Sequence, residues 1–331
     1  MISVIVTAYN EGINLEKCLN SLISQQRTNL NQYEIIVVDD GSTDSSVDLM
    51  DQFSEKNTNI RVIHKKNEGS IKSRLRGVKE AKGTYVTFVD GDDFVSDEYI
   101  QKISTILKNT KADMFFLNNF VNKPENINFY KQKQFLKNKK IVEVDQAYEW
   151  ILTGQAGAVW DKIYKRDLML KALDNYIPSL FYGEDVFINS MYMKYSKTII
   201  SCNVAVYYHV IDSSTSGSVT NKSFNKINDI NKLYLVVKEL YEDKLISKTV
   251  FNDFCVVYLD NIAKIIGDLL DLHIMKGKIK QQLGQVDLVR NQLRKVSKRN
   301  FKDRIYMFCL QKNIYYPLYL IQKVKKISVK N

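Results

Sequence analysis

The chain has 331 residues, enough for one large or two ordinary domains, with 45% hydrophobic and 26% charged residues. That composition excludes a disordered, collagenous or polytopic membrane chain, and with only 13 Gly and 3 Pro it predicts plentiful helix. The 48 Lys and Arg outnumber the 37 Asp and Glu to give +11, which fits nucleic acid, an anionic membrane surface or an acidic substrate until the charge is located.

The first strand-like run, Ile2 to Thr7, starts at once. It leaves no room for a charged leader and cleavage site, so a chain that is not secreted is expected. Further β-branched runs at Ile35 to Val38, Arg61 to Ile63 and Tyr85 to Val89 read as buried strands. Between them, Leu15, Cys18, Leu19, Leu22 and Ile23, and later Ile100, Ile103, Ile106 and Leu107, make one-sided helical stripes. Repeated strand-helix-strand units imply an α/β fold with a mainly parallel sheet covered by helices, binding ligands at the carboxyl ends of its strands. Residues 120–145 are polar and Lys-rich and read as an insertion or surface loop. From about residue 222 long helical periods take over, clearest in Phe254, Tyr258, Ile262, Ile265, Ile266 and Leu269.

Cys18, Cys202, Cys255 and Cys309 are far apart and form no Cys-x-x-Cys cluster, which predicts reduced thiols of a cytoplasmic protein rather than a disulfide framework or a zinc site. No apolar run reaches the roughly 20 residues of a spanning helix. The basic charge belongs to the tail: residues 276–331 carry fifteen Lys or Arg against Asp287 and Asp303, a net +13, whereas residues 1–275 carry 33 against 35, a net −2. Aromatic residues are not interleaved with this basic run as a nucleic-acid groove requires, so nucleic acid is not expected as a partner. Tyr315, Tyr316, Leu318, Tyr319 and Ile321 beside Lys312, Lys323, Lys325 and Lys326 suit an anionic membrane surface. Docking of the tail on its own domain, or on an anionic acceptor, fits as well.

Four strand ends carry polar residues that a core has no use for. They are Ala8-Tyr9-Asn10-Glu11-Gly12, Asp39-Asp40-Gly41-Ser42-Thr43-Asp44, Asn67-Glu68-Gly69 leading to Arg74, and Asp90-Gly91-Asp92-Asp93. The first turn lacks the glycines of a dinucleotide fold and the basic loop of a nucleotidyltransferase. Tyr9 suits stacking on a base, and Asp40 and Glu11 suit accepting hydrogen bonds from base or ribose. Ser42 or Thr43 also reads as a helix N-cap. Asp90 and Asp92, with a permissive glycine between them, offer oxygens to Mg²⁺ or Mn²⁺, with Arg74 nearby for a diphosphate.

In this order the motifs resemble glycosyltransferase family 2, the inverting nucleotide-sugar transferases of GT-A fold, over roughly residues 1–215. Ile2 to Asn10 resembles the family's first strand and nucleotide loop, and Val37 to Asp44 its uracil-contacting segment, which places Ala8, Tyr9, Glu11 and Asp40 at the nucleotide. Asn67-Glu68-Gly69 through Gly77 is similar to its Asn-x-Gly and Ala-Arg-Asn-x-Gly pair, with Arg74 matching while Ser73 and Leu75 depart. Asp90-Gly91-Asp92 is similar to its metal-binding Asp-x-Asp, with Asp92 as the main ligand. Trp160, in Val159 to Leu168, and Glu184 resemble acceptor-side residues, and Asp185 matches the catalytic base. His209, after Tyr207-Tyr208, would complete the metal shell or contact the diphosphate. Ordinary readings compete: core packing for Trp160 and Phe187, a dipole-favoured helix start for Glu184-Asp185, and a structural histidine at 209.

The resemblance implies a GT-A catalytic domain at 1–221, with a nucleotide-sugar half at about 1–115 and an acceptor half at about 116–221. A helical, basic module at 222–331 would follow and offers a homodimer surface. It implies transfer from a UDP-sugar, with Mn or Mg, to a carbohydrate or glycolipid acceptor; the cysteines and the basic tail, by themselves, suit a cytoplasmic protein peripheral at the inner face of the cell membrane. A non-catalytic nucleotide-sugar or anionic-polymer binding protein of the same fold is the alternative.

Overall fold

The structure, a computed structural model, describes residues 1–26, 32–123, 126–133, 140–173, 180, 182–210, 219–271, 305 and 309. They fall into two compact units, Met1–Ile177 with Ile188–Thr215 and Pro178–Phe187 with Ser216–Asn331. Among the described residues no helix is long and apolar enough to cross a membrane. The four cysteines are free thiols, all buried.

The first unit is built on a ten-stranded sheet. Strands β1 (Ile2–Ala8), β2 (Tyr33–Asp39), β3 (Ile60–His64) and β4 (Tyr85–Asp90) lie side by side in the order β3-β2-β1-β4, all parallel. Val4, Ile5 and Val6 of β1 and Ile35 to Val38 of β2 are wholly inaccessible, as expected of β-branched runs covered on both faces. Each side chain so buried contributes about 1.5–3 kcal/mol. Helices α1 (Ile13–Ile23), α2 (Ser46–Lys56), α3 (Ser70–Glu80) and α4 (Tyr99–Asn109) supply the cover. The stripe of α1 that faces the core is Leu15, Cys18, Leu19 and Leu22. Helix α3 lies so close to β1 that a Cβ on Gly77 would stand 2.4 Å from Ile5 Cγ2, and this approach sets Arg74, one turn earlier on the same face, against the sheet.

Beyond β4 the sheet continues through β9 (Lys162–Lys165), β6 (Met114–Lys123), β10 (Ile199–His209) and the short β5 (Phe94–Val95). β9 runs antiparallel to both β4 and β6, which restores the common direction, so β6 and β10 are parallel to the first four strands. The expected loop at 120–145 is in part strand. β6 runs on to Lys123, β7 (Asn126–Lys133) pairs antiparallel with it, and β8 (Lys140–Ile141) pairs with β10. Asn126-Ile127-Asn128-Phe129 alternates with the period of a strand. Backbone pairing to β6 satisfies its amides without a continuous apolar run, so composition alone reads as loop. Helices α5 (Val144–Leu152), α6 (Arg166–Leu173) and α7 (Glu184–Met193) follow.

The second unit contains two 24-residue helices, α8 (Val219–Glu242) and α9 (Lys248–Asp271). Tyr234 of α8 meets Phe251, Phe254 and Tyr258 of α9 in an aromatic cluster. Tyr258 also donates to Asn231 Oδ1 at 2.5 Å. Aromatic and aliphatic residues three and four apart thus seal the helix pair, as the periodicity from residue 222 implies. The tail from 276 lies outside the described residues except for Ile305 and Cys309.

Candidate active site

The four polar strand ends are knitted into one assembly by hydrogen bonds between them. Asp40 N–H donates to the Ala8 carbonyl at 2.9 Å and Gly91 N–H to the Thr7 carbonyl at 2.9 Å, which brackets the first strand end between the second and fourth. Asn10, with φ of 56°, donates its N–H to Ser42 Oγ at 3.0 Å and accepts from Thr43 N–H at 2.8 Å. Ser46 Oγ accepts from the N–H groups of Glu11 and Gly12 at 3.1 and 2.9 Å. Ser42 and Thr43 are therefore loop staples and not helix caps. Helix α2 starts three residues later, with Ser45 at the N-cap position and no capping bond from its side chain. Asp44 Oδ1 accepts from Ser46 N–H instead.

Asp40 is buried, and its carboxylate organises the third strand end. Oδ1 accepts from Lys65 Nζ and from Glu68 N–H at 2.9 Å, and Oδ2 accepts from Gly69 N–H at 2.8 Å. A carboxylate has about four lone-pair sites, so Oδ2 keeps capacity for one more donor. Gly41 beside it has φ of 81°, and a Cβ there would lie 2.8 Å from Asn67 N, so no other residue fits this close approach. Tyr9 is 46% exposed, which leaves it open to solvent at the first strand end. Ala8 is buried and takes part through its backbone carbonyl.

The fourth strand end carries the charge. Arg74, 3% exposed, donates from Nη2 to Asp90 Oδ1 at 2.8 Å. Gly91 is closed in: a Cβ there would lie 3.0 Å from the Thr7 carbonyl and 3.1 Å from Glu11 Cγ. Asp92 is exposed at its surface, yet the protein crowded about it pushes its pKa up to about 7, through desolvation first and then Asp93 and Asp90. Glu11 rises to about 7 as well, by desolvation and then the fields of Asp92 and Asp90. Asp93, 2% exposed, is the node of the loop. It accepts from Tyr207 Oη at 2.6 Å and Val210 N–H at 2.7 Å, and pairs with His209 Nδ1 at 3.2 Å. Burial alone would lower the pKa of His209, but Asp93's bond and the fields of Asp90 and Asp92 outweigh it and raise it. Burial leads in Asp92 and Glu11, and the crowding of carboxylates adds to it there and acts on His209 as well.

Trp160 is half-buried and lies flat against Tyr207, with centroids 4.5 Å apart, and against His209 at 5.0 Å. The sequence reading did not single out Asp93, Tyr207, Ser46 or Lys65. Alternation along β10 puts Tyr207 on the face of His209, a legible signal, whereas Ser46 and Lys65 act across 25 or more residues of sequence and carry none. Phe187 is core, 1% exposed. Glu184 and Asp185 form the first turn of α7 and belong to the segment Pro178–Phe187 that groups with the second unit. The structure brings Ala8, Tyr9, Glu11, Asp40, Arg74, Asp90, Gly91, Asp92, Trp160 and His209 into the neighbourhood of the strand ends.

Among the described residues no group of three or more His, Cys, Asp or Glu side chains is arranged to hold a metal ion by itself. The oxygens of Asp90 and Asp92 would suit Mg²⁺ or Mn²⁺, which take one or two protein carboxylates and complete the shell with water and substrate phosphates. The raised pKa values of Asp92 and Glu11 mark a carboxylate cluster that a cation would relieve.

A sequence profile described as Glycosyl transferase family 2 matches residues 3–170, half of the chain. The chain belongs to glycosyl transferase family 2. Within the family it is 31% identical over 192 residues to the uncharacterized glycosyltransferase EpsJ of Bacillus subtilis, covering 56% of this chain and 52% of EpsJ. It is 31% identical over 236 residues to the glycosyltransferase GlyA of Streptococcus pneumoniae, covering 69% of this chain and 33% of GlyA. The chain thus spans about half of the first relative and a third of the second. Among solved structures, residues 1–349 of S. aureus TarS in complex with UDP-GlcNAc superpose with a TM-score of 0.67 at 19% identity, over 98% of this chain and 92% of that one. At that identity the likeness is one of fold, the GT-A fold of the family.

Proposed function

We propose that this family 2 member is an inverting, metal-dependent glycosyltransferase that moves a sugar from a UDP-sugar to an acceptor hydroxyl in polysaccharide or glycoconjugate synthesis. The observation that carries the reading is the Asp90–Asp93 loop, held between Arg74, Tyr207 and His209 at the carboxyl ends of parallel strands. Tyr9 stacks on the base, and the remaining capacity of Asp40 Oδ2 takes an N–H of the base or a ribose hydroxyl. Arg74, though engaged by Asp90, adds positive charge beside the diphosphate. Asp185 takes the proton of the acceptor hydroxyl as its oxygen bonds to the anomeric carbon. The bond from that carbon to the diphosphate oxygen breaks, and its electron pair leaves with UDP. A Mg²⁺ or Mn²⁺ held by Asp92, with His209 in reach of its shell, would offset charge on the departing diphosphate.

A thermal-shift panel of nucleotides and UDP-sugars, with and without Mn²⁺, tests the donor. A ligand at a hundredfold excess over its Kd adds about 2.7 kcal/mol to the native state. UDP compounds are expected to raise Tm, more so with Mn²⁺, and the absence of a shift with every uridine nucleotide overturns the assignment. The basic run at 276–331 serves, in this reading, to hold the enzyme against anionic lipid at the inner face of the membrane, and the helical module is its dimer surface. Sedimentation with anionic liposomes at low salt, full-length chain against a truncation before residue 276, tests the first of these. Equal sedimentation of the two removes it.

A further inference from the structure

The segment Gly157–Asp161, which carries Trp160, is held from beneath by three fully buried side chains on two different elements. From β9, Lys162 is inaccessible and donates Nζ to the Ala158 carbonyl and to Asp161 Oδ1, each at 2.5 Å, with the Phe116 ring 4.8 Å away. From α7, Asn189 is inaccessible and donates Nδ2 to the carbonyls of Gly157 at 2.8 Å and Ala158 at 3.2 Å. Tyr164 joins the two: its hydroxyl donates to Asn189 Oδ1 at 2.7 Å and lies 3.3 Å from the Val159 carbonyl.

Two consecutive carbonyls, Gly157 and Ala158, thus meet side-chain donors in the interior, and a third lies beside a hydroxyl. A buried lysine and a buried asparagine are costly unless fully engaged, and burying them to support one short irregular segment fixes that segment in a single arrangement. The side chain it presents is the half-buried Trp160 indole, flat against Tyr207 and His209, the two rings that hold Asp93.

We propose that Asn189 and Lys162, linked through Tyr164, are positioning residues that set the Trp160 indole against His209 and thereby hold in its working geometry an aromatic wall shared by the acceptor side and the diphosphate end of the donor site. The inference rests on the family 2 site described above, but its test does not depend on catalysis. Trp150 and Trp160 are the two tryptophans of the chain, so in a Trp150→Phe background the emission of Trp160 reports its stacking on His209.

In that background Tyr164→Phe and Asn189→Ala are compared with the parent by Trp160 emission, acrylamide quenching and the Kd of UDP with Mn²⁺. Tyr164→Phe removes one hydroxyl and keeps the ring, and it stands in should Asn189→Ala fail to fold. Both variants are expected to increase quenching of Trp160 by acrylamide at least twofold and to weaken UDP about tenfold, the size of one lost aromatic contact. Asn189→Gln restores part of the loss. A Trp160→Ala variant weakens UDP similarly, and adding Tyr164→Phe to it changes nothing further, because residues acting through one group are not additive. Unchanged quenching in a folded Tyr164→Phe or Asn189→Ala variant overturns the proposal, and so do additive losses in the double variant. Changed quenching with no UDP binding by the parent leaves the positioning role standing and counts against the donor assignment alone.

Discussion

Replacing Arg74 by Met tests whether the charge balance of the fourth strand end is what the geometry makes it. Arg74 is 3% exposed and its Nη2 lies 2.8 Å from Asp90 Oδ1, while the Asp90 side chain is 26% exposed. Removing one partner of a fully buried pair costs about 3–5 kcal/mol because the other charge is stranded. Asp90 can still draw on water over a quarter of its surface, so a loss of about 2–3 kcal/mol is the better figure. For a compact unit of this size that corresponds to a fall in Tm of roughly 4–12 °C. The stranded carboxylate also adds to the field on Asp92 and Glu11, which already titrate near 7. Scanning calorimetry at neutral pH measures the fall. The double variant Arg74→Met/Asp90→Asn should recover at least 1 kcal/mol of it, since no buried charge is then left unpaired. A folded Arg74→Met protein within 1 °C of wild type, or a double variant no better than the single, refutes the claim that this pair holds the strand end together.

Gly91→Ala places a Cβ 3.0 Å from the Thr7 carbonyl and 3.2 Å from Ala8 Cβ, and overpacking of this kind costs about 1–3 kcal/mol. Because the contact is to backbone, the Asp90–Asp93 loop must move, so UDP affinity falls along with Tm; calorimetric titration detects it. Asp185→Asn is expected to bind UDP as the wild type does and to lose transfer by about 10²–10⁴-fold, read by UDP release in the presence of acceptor. His64 joins Asp39 Oδ2 at 2.9 Å to Asp51 Oδ1 at 3.1 Å. Asp39's hydrogen bond, working against partial burial, raises the pKa of His64 above 6.5. Burial opposes the ionisation of Asp39, but bonds from His64 and Ser42 outweigh it and hold its pKa below 3.8. A raised histidine stabilises fully below its unfolded pKa and loses that contribution as pH rises through the folded value. A lowered aspartate does so in the opposite direction, as pH falls. The stabilisation therefore belongs to the window between the two, and His64→Gln should lower Tm near pH 6 and leave it little changed near pH 9. A gap that widens toward pH 9 contradicts the pairing.

The strand ends were legible because two simple physical signals coincide there. A β-branched run such as Val86 to Val89 needs both faces covered, and the acids that follow it have no place in that cover. Arg74 was legible from its place in the motif order, but its partner was not. Arg74 sits on the stripe of α3 that Ile71 and Val78 bury, where a guanidinium survives only against a carboxylate. The strand β7 was not legible, since its stability comes from backbone pairing with β6, which leaves only a faint alternation in the side chains. Lys65 on Asp40 and Ser46 beneath Glu11 and Gly12 were hidden for another reason. Each is an ordinary polar residue whose role exists only once a strand end 25 or more positions away is brought beside it.

Asp93 shows how the two levels meet. In sequence it is the last acid of Asp90-Gly91-Asp92-Asp93 and indistinguishable from its neighbours. Fold topology then separates them by burial. Asp92 faces solvent while Asp93 is 2% exposed, and a carboxylate so placed has to be met by donors. β5 runs antiparallel to the end of β10, which delivers Tyr207 and His209 to it. The surface acid is thereby left open to solvent and the buried one is committed to the scaffold, a difference that adjacent identical side chains acquire only from the sheet beneath them.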